Sequence, residues 1–364
     1  MLIRYFNGDK IRCEMLGVAL QSLHPDDIRV HDLIGMFAVG KMTNFGGVIN
    51  RIQPMLYHFD ITGMPDVLDH NITFEQCCLI NAQEIWEMAR GRYVSLFWSG
   101  GVDSTAALVS LMMTNPHWRD QIKIYTSQYA ISEEYPLFWS RYLVDTDYKI
   151  LKNTEFFDPG LYTSDRVVVT GELGDLLWGD WGGAFLPDTS LNYSSPYPEF
   201  FRSNCFLNHV PLNHRGLVQD YIQRQIDQFV VPITSIADLS WMLGFTHLWD
   251  HEKLRWNAKI NDTSLFDSVI CFFNSIHFQS WSMCNGHMLV ESDGLNYKRP
   301  AKDLIYEFTR DDDYRRFKTK QQSIFFSMDE TSKRKQLSNY SLVTDVHFRH
   351  YNHSDFSLLH TLNI

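Results

Sequence analysis

The stretch Ser99-Gly100-Gly101-Val102-Asp103-Ser104 constrains this chain more than any other, because of what flanks it. Before it runs Tyr93-Val94-Ser95-Leu96-Phe97-Trp98, short, β-prone and mostly apolar, as a buried strand is. After it, Thr105 to Met113 is a good helix former with an apolar stripe. Strand, glycine turn and helix therefore follow one another without a gap. Two glycines let the backbone approach a ligand closely and expose its N–H groups. The helix aims about half a positive charge at the same point. Ser99, Ser104 and Thr105 add hydroxyls, so the turn reads as a cradle for a pyrophosphate group. A carboxylate at Asp103 would repel phosphates unless a Mg2+ ion lay between, and Mg2+ takes one or two carboxylates together with phosphate oxygens. The spacing is not that of G-x-x-x-x-G-K-[ST], so transfer of a terminal phosphate is not the expectation.

The rest of the pattern supports an α/β fold. Ile122–Tyr125, Tyr148–Leu151 and Val167–Thr170 read as further strands, with helices over Phe74–Arg90 and Tyr135–Val144. Such alternation predicts a parallel sheet with helices on both faces. Beyond about residue 215 the pattern is mainly helical. Residues 1–85 hold short mixed segments broken by Gly and Pro and read as a small separate unit. Residues 86–340 read as the main domain, and 341–364 as a polar, His-rich tail.

Composition narrows the partners. Hydrophobic residues are 45% and charged residues 21%, as in an ordinary globular protein, and Phe, Tyr and Trp are plentiful enough for an aromatic core. A net charge of −11 disfavours nucleic acid, whose binding rests on Lys and Arg against phosphates. No apolar run approaches the ~20 residues of a membrane-spanning helix. Met1-Leu2-Ile3-Arg4 does not open a signal peptide. The six cysteines form no C-x-x-C pair and read as reduced thiols of a cytoplasmic protein. His277, Cys284 and His287 invite a zinc reading, but a fourth ligand at metal spacing is missing.

A second turn repeats the arrangement of the first. Thr170-Gly171-Glu172-Leu173-Gly174-Asp175 follows a strand and places two carboxylates at its end, where α/β proteins bind ligands. One could hold Mg2+ and the other could meet an amine or serve as a base.

Together these motifs resemble a known family. The first turn is similar to the S-G-G-x-D-S loop of the ATP pyrophosphatase (PP-loop) superfamily, whose members cleave ATP between the α and β phosphates, leave AMP on the substrate and release pyrophosphate. The second resembles S-G-E-G-x-D-E-L-x-x-G-Y of glutamine-dependent asparagine synthetase, with Glu172 and Asp175 matching. Leu176 and Asp180 depart from that pattern, which puts an aspartate substrate in doubt. Looser echoes lie at Thr43–Pro54, at Trp241-Met242-Leu243-Gly244-Phe245 and at Arg316-Phe317-Lys318-Thr319-Lys320-Gln321.

The resemblance implies the adenine nucleotide alpha hydrolase-like (HUP-like) form of the α/β fold. It implies ATP bound by Ser99, Gly100, Gly101, Asp103, Ser104, Thr105 and Gly171, and Mg2+ held by Asp103 and Asp175. Glu172 is the implied catalytic carboxylate, steering or deprotonating the amine. Lys320, with Lys318 close behind, and Lys302 are the implied lysines near the leaving pyrophosphate. The purine would lie near Tyr125–Gln128; Glu133 and Glu134 fall in the same region and could face the substrate, but they read first as surface acids. The family's glutaminase half begins with a catalytic cysteine after Met removal. Here Leu2 stands at that position and the first cysteine is Cys13, so nitrogen is expected from free ammonia, a partner amidotransferase or an amine substrate. The expected reaction is activation of a small-molecule or peptide carboxylate and its capture as an amide. Two other readings stay open: adenylation and modification of a nucleobase, and a synthetase-like fold kept only for binding.

Overall fold

The structure, a computed structural model, describes residues 4–5, 71–152, 159–179, 191–202, 212–249, 269–285, 298–319, 340–343 and 348–351. The chain divides into two compact units, one drawn from 65–178 and 264–332, the other from 1–64, 179–263 and 333–364.

The first unit is built on a five-stranded sheet, so the α/β class is observed directly. Its strands are β1 (Tyr93–Trp98), β2 (Ile122–Thr126), β3 (Asp147–Ile150), β4 (Arg166–Thr170) and β5 (Val269–Cys271). They lie in the order β3-β2-β1-β4-β5, and every neighbouring pair is parallel. Four of these strands match the sequence reading to within a residue at each end. The fifth corrects it, since Val269–Cys271 lies where the sequence reads mainly helical. Three residues carry no period. What makes them a strand is the ladder Val168↔Val269, Val169↔Ile270 and Thr170↔Cys271.

β1 is central and covered on both sides, with Val94, Ser95, Leu96, Phe97 and Trp98 all buried. Around the sheet lie α1 (Phe74–Met88), α2 (Val102–Thr114), the single turn α3 (Gly174–Leu177), α4 (Ile276–Asn285), α5 (Arg299–Thr309) and α6 (Asp312–Phe317). α1 starts at a capping box. The Thr73 hydroxyl accepts from Gln76 N at 3.1 Å, and Gln76 Oε1 accepts from Thr73 N at 2.8 Å. The boundary expected at residue 85 falls inside this helix, which is tied to α2 by Trp86 Nε1 donating to Leu111 O at 3.1 Å. The helix expected over Tyr135–Val144 is present as one continuous run, α over Pro136–Phe138 and widened to the π form over Trp139–Leu143. Phe138 and Trp139 stack on Trp98 with ring centroids 5.8 and 6.1 Å apart. A second aromatic group, Phe74, Trp178, Phe273, Phe278 and Trp281, packs α1 against α4. Cys77 and Cys78 are buried free thiols, and desolvation raises both, Cys77 to about 12.

In the second unit the described helices are Tyr197–Arg202, Leu212–Gln228 and Ile236–Leu243. Phe229, Trp241, Phe245 and Trp249 form one continuous ring contact there. Its antiparallel sheet joins Arg4–Tyr5, Tyr340–Val343 and Phe348–Tyr351, so part of the polar tail is strand. The remaining readings on residues 1–70 and on the tail lie outside the described residues, as do the Thr43–Pro54 echo and Asp180. Among the described residues no helix is long and apolar enough to cross a membrane.

Candidate functional site

The site is set by where the order of the strands reverses. β1 has β2 on one side and β4 on the other, so the loops after β1 and β4 leave adjacent strand ends on either side of a switch point. Open parallel sheets form their ligand crevice at such a place. The first of these loops is Ser99–Ser104, and the second is Gly171–Asp175.

The first loop is held by its own hydroxyls. Ser104 Oγ accepts from Ser99 N at 3.1 Å and lies 2.9 Å from Ser99 Oγ, which accepts from Gly101 N at 3.3 Å. Gly100 has φ +76°, and a Cβ there would meet Glu134 Cβ at 2.6 Å. Only glycine takes that conformation without strain and leaves that room. Gly101 caps α2 without a side-chain acceptor for the helix N–H groups. Thr105 sits beneath the loop rather than at its mouth. It is fully buried, and its hydroxyl accepts from Trp98 Nε1 at 3.1 Å.

The second loop presses on the first. A Cβ on Gly171 would come within 2.7 Å of Ser104 N, and one on Gly174 would overlap the Asp103 carboxyl group. Between them Leu173 is buried at φ +72°, a backbone state that a bulky residue adopts only under constraint. This close approach brings Asp103 and Asp175 together. Lys298 Nζ donates to Asp103 Oδ2 and to Asp175 Oδ1, and its side chain is only 1% exposed. Lys298 precedes α5 and is itself left-handed, at φ +52°. The sequence did not single it out. It stands 195 residues from Asp103 and 123 from Asp175, and Tyr297-Lys298-Arg299-Pro300 carries no spacing that marks a site.

A second charged cluster, Glu134 with Lys318, lies against the same loop at Gly100. Lys318 Nζ donates to the Glu134 carboxylate and, at 3.1 Å, to the Glu134 carbonyl, with both side chains under a tenth exposed. Glu134 is thus not the surface acid that its sequence suggested, whereas Glu133 is exposed. Tyr314 donates to Gly100 O at 3.3 Å and stacks on Tyr135 at 3.8 Å between ring centroids. Tyr135 donates in turn to Asp311 Oδ2 at 3.0 Å. Desolvation pushes both phenols above their ordinary range, so they act as donors.

The other expected residues are distributed as follows. Glu172 is half-buried beside Gly171. Lys302 is completely buried in α5, one turn beyond Lys298. In the Arg316–Gln321 segment Arg316 and Phe317 are exposed and Lys318 folds inward, while Lys320 lies outside the described residues. At the end of β2, Tyr125, Thr126 and Ser127 are buried and Gln128 is exposed. Arg166 donates to the Tyr125 hydroxyl at 2.7 Å. The buried Thr126 and Thr170 hydroxyls, closing β2 and β4, have no hydrogen-bond partner among the described residues, which marks both strand ends as places for a polar ligand or water.

Among the described residues no group of three or more His, Cys, Asp or Glu could hold a metal alone. His277 Nε2 lies 4.0 Å from Glu84 Oε1, and His287 is outside the described residues. Two convergent carboxylates, at Asp103 and Asp175, are nevertheless what Mg2+ takes when phosphate oxygens fill its remaining positions. The glycine cradle beside them suits those phosphates. No family model matches the chain, and no curated protein does.

Proposed function

We propose that this chain is an ATP-dependent, AMP- and pyrophosphate-forming ligase of the asparagine-synthetase type, which activates a carboxylate and passes it to ammonia or an amine as an amide. The observation that carries the reading is the convergence of the two glycine turns at adjacent strand ends, with Gly171 against the Ser104 backbone, Gly174 against Asp103, and Asp103 and Asp175 both held by Lys298. On this reading the sheet is the adenine nucleotide alpha hydrolase-like one, with helices on both faces and a mainly helical continuation.

ATP supplies the AMP group that makes the carboxylate reactive. The N–H groups of Gly100 and of the start of α2 would bind its phosphates, while the Ser99 and Ser104 hydroxyls, with the Gly101 N–H, hold the loop in shape. Asp103 and Asp175 hold Mg2+. Glu172 orients the amine or takes its proton. Lys318 and Lys320 balance negative charge on the departing pyrophosphate, Lys318 from its seat on Glu134. The nucleoside would lie near the end of β2, where the buried Thr126 hydroxyl has no partner among the described residues.

The test is the nucleotide product. Purified protein with Mg2+–ATP and a pool of carboxylates, ammonium and amines should release AMP and pyrophosphate, and Asp103→Ala and Asp175→Ala should abolish release. ADP with phosphate would sink the mechanism. AMP formed only when a nucleobase is the acceptor would move the chain to the base-modifying branch. Tight ATP binding without turnover in any mixture would leave a binding protein.

A further inference from the structure

Lys298 has no task in the reaction as proposed, yet it occupies the centre of the site. Its ammonium touches both carboxylates that the proposed reading gives to the metal, and its side chain is almost wholly withdrawn from solvent. A buried cation between two carboxylates is held by strong charge-assisted hydrogen bonds. The same oxygens cannot serve an ammonium and a divalent cation at one point, so the two compete. The backbone at Lys298 is fixed by its left-handed turn ahead of Pro300, while the ammonium ends a flexible four-carbon stem that can swing.

Displacement by free Mg2+ would leave the ammonium beside a dication in a poorly solvated place, which is repulsive. Displacement by Mg2+ that arrives with phosphates is different, because the phosphate oxygens offer the ammonium a new partner within reach. Resting on the ligase reading above, we propose that Lys298 is a placeholder cation. It offsets one of the two negative charges of Asp103 and Asp175 in the empty enzyme and admits a divalent metal only together with the nucleotide's phosphates, to which its ammonium then transfers.

Mn2+ binding to the full chain without nucleotide, followed by paramagnetic resonance, tests this together with thermal unfolding. Wild type should bind Mn2+ poorly alone and well with ATP. Lys298→Met should bind Mn2+ alone at least about tenfold more tightly than wild type, the scale of one close unit charge removed. Its melting temperature should fall without metal and recover in Mg2+. Lys298→Met/Asp175→Asn, with the cluster's charge restored, should melt near wild type and lose the metal-only binding. A purely structural lysine would destabilise the fold when removed but would create no metal-only site. Equal Mn2+ affinity in wild type and Lys298→Met overturns the proposal. So does a Lys298→Met chain that stays unfolded in Mg2+. If ATP neither binds nor recruits Mn2+ to wild type, the ligase reading fails, while the nucleotide-free comparison still judges the role of Lys298.

Discussion

Gly100 and Gly171 do different jobs at the contact between the two turns. Gly100 is required by its positive φ and by Glu134, and Gly171 by the Ser104 backbone. Gly171→Ala should therefore push the turns apart at a cost of about 1–3 kcal/mol. Gly100→Ala should cost a similar amount, about 1–3 kcal/mol, through backbone strain and the Glu134 contact. Both should weaken ATP binding more than they weaken the fold, which calorimetric ATP titration beside urea unfolding would reveal. Equal losses in the two measurements would reduce the glycines to ordinary packing residues. The Glu134–Lys318 pair behaves otherwise. With both side chains nearly buried, Lys318→Met alone should destabilise by about 3–5 kcal/mol, because it strands the Glu134 charge. Adding Glu134→Gln should recover much of that loss, and a double-mutant cycle on denaturant midpoints measures the coupling. These residues differ in legibility. Glycines in a strand–helix turn announce a close approach, whereas Glu134 and Lys298 look like solvated charges until distant chain surrounds them.

At the scale of elements, local chemistry and tertiary pairing divide the work. α1 and the helix Ile236–Leu243 begin at capping boxes written in their own residues, Thr73 with Gln76 and Ser235 with Asp238. Burial works against the Asp238 charge. The Thr234 and Ser235 N–H groups and the Thr234 and Ser235 hydroxyls outweigh it and hold the carboxyl below its usual range. A carboxyl depressed in the folded state contributes stability above its unfolded pKa, about 3.9, and loses it as pH falls through the folded value. Asp238→Ala should accordingly cost about 1–2 kcal/mol at neutral pH. The gap to wild type should narrow below about pH 4, where the wild-type carboxyl also protonates. Urea melts at pH 7 and pH 3 measure this, and a gap unchanged by pH would assign the cost to packing. β5 is the opposite case. Val269–Cys271 is a strand because β4 offers it a ladder, and nothing in three residues foretells that. The helix after Tyr135 is similar in its second half, which widens to the π form where Phe138 and Trp139 meet Trp98.

At the scale of the whole unit, one returning segment ties the site together. Residues 298–318 supply Lys298 to the two aspartates, Tyr314 to the Gly100 carbonyl and Lys318 to Glu134. Each contact joins this segment to chain more than a hundred residues earlier. Ligand bound at the two turns should thus stabilise a long stretch of the chain. At a hundredfold excess over Kd, Mg2+–ATP should add about 2.7 kcal/mol to the unfolding free energy. It should slow amide exchange over 99–105, 171–177 and 298–318 together. Slowing confined to 99–105 would mean that the returning segment has no share in binding.

The sequence by itself determined the parallel strands that flank the glycine turns, the helix after the first turn and the two aspartates worth testing. Those features are local: burial on both faces, glycine freedom and a helix start are properties of consecutive residues. The tertiary structure alone decided that Asp103 and Asp175 share one cation, that the cation is Lys298, that Glu134 is buried and that β5 is a strand. The reason is physical. A charge becomes part of a site when packing brings its partner to it, and which partner arrives depends on segments far apart in the chain.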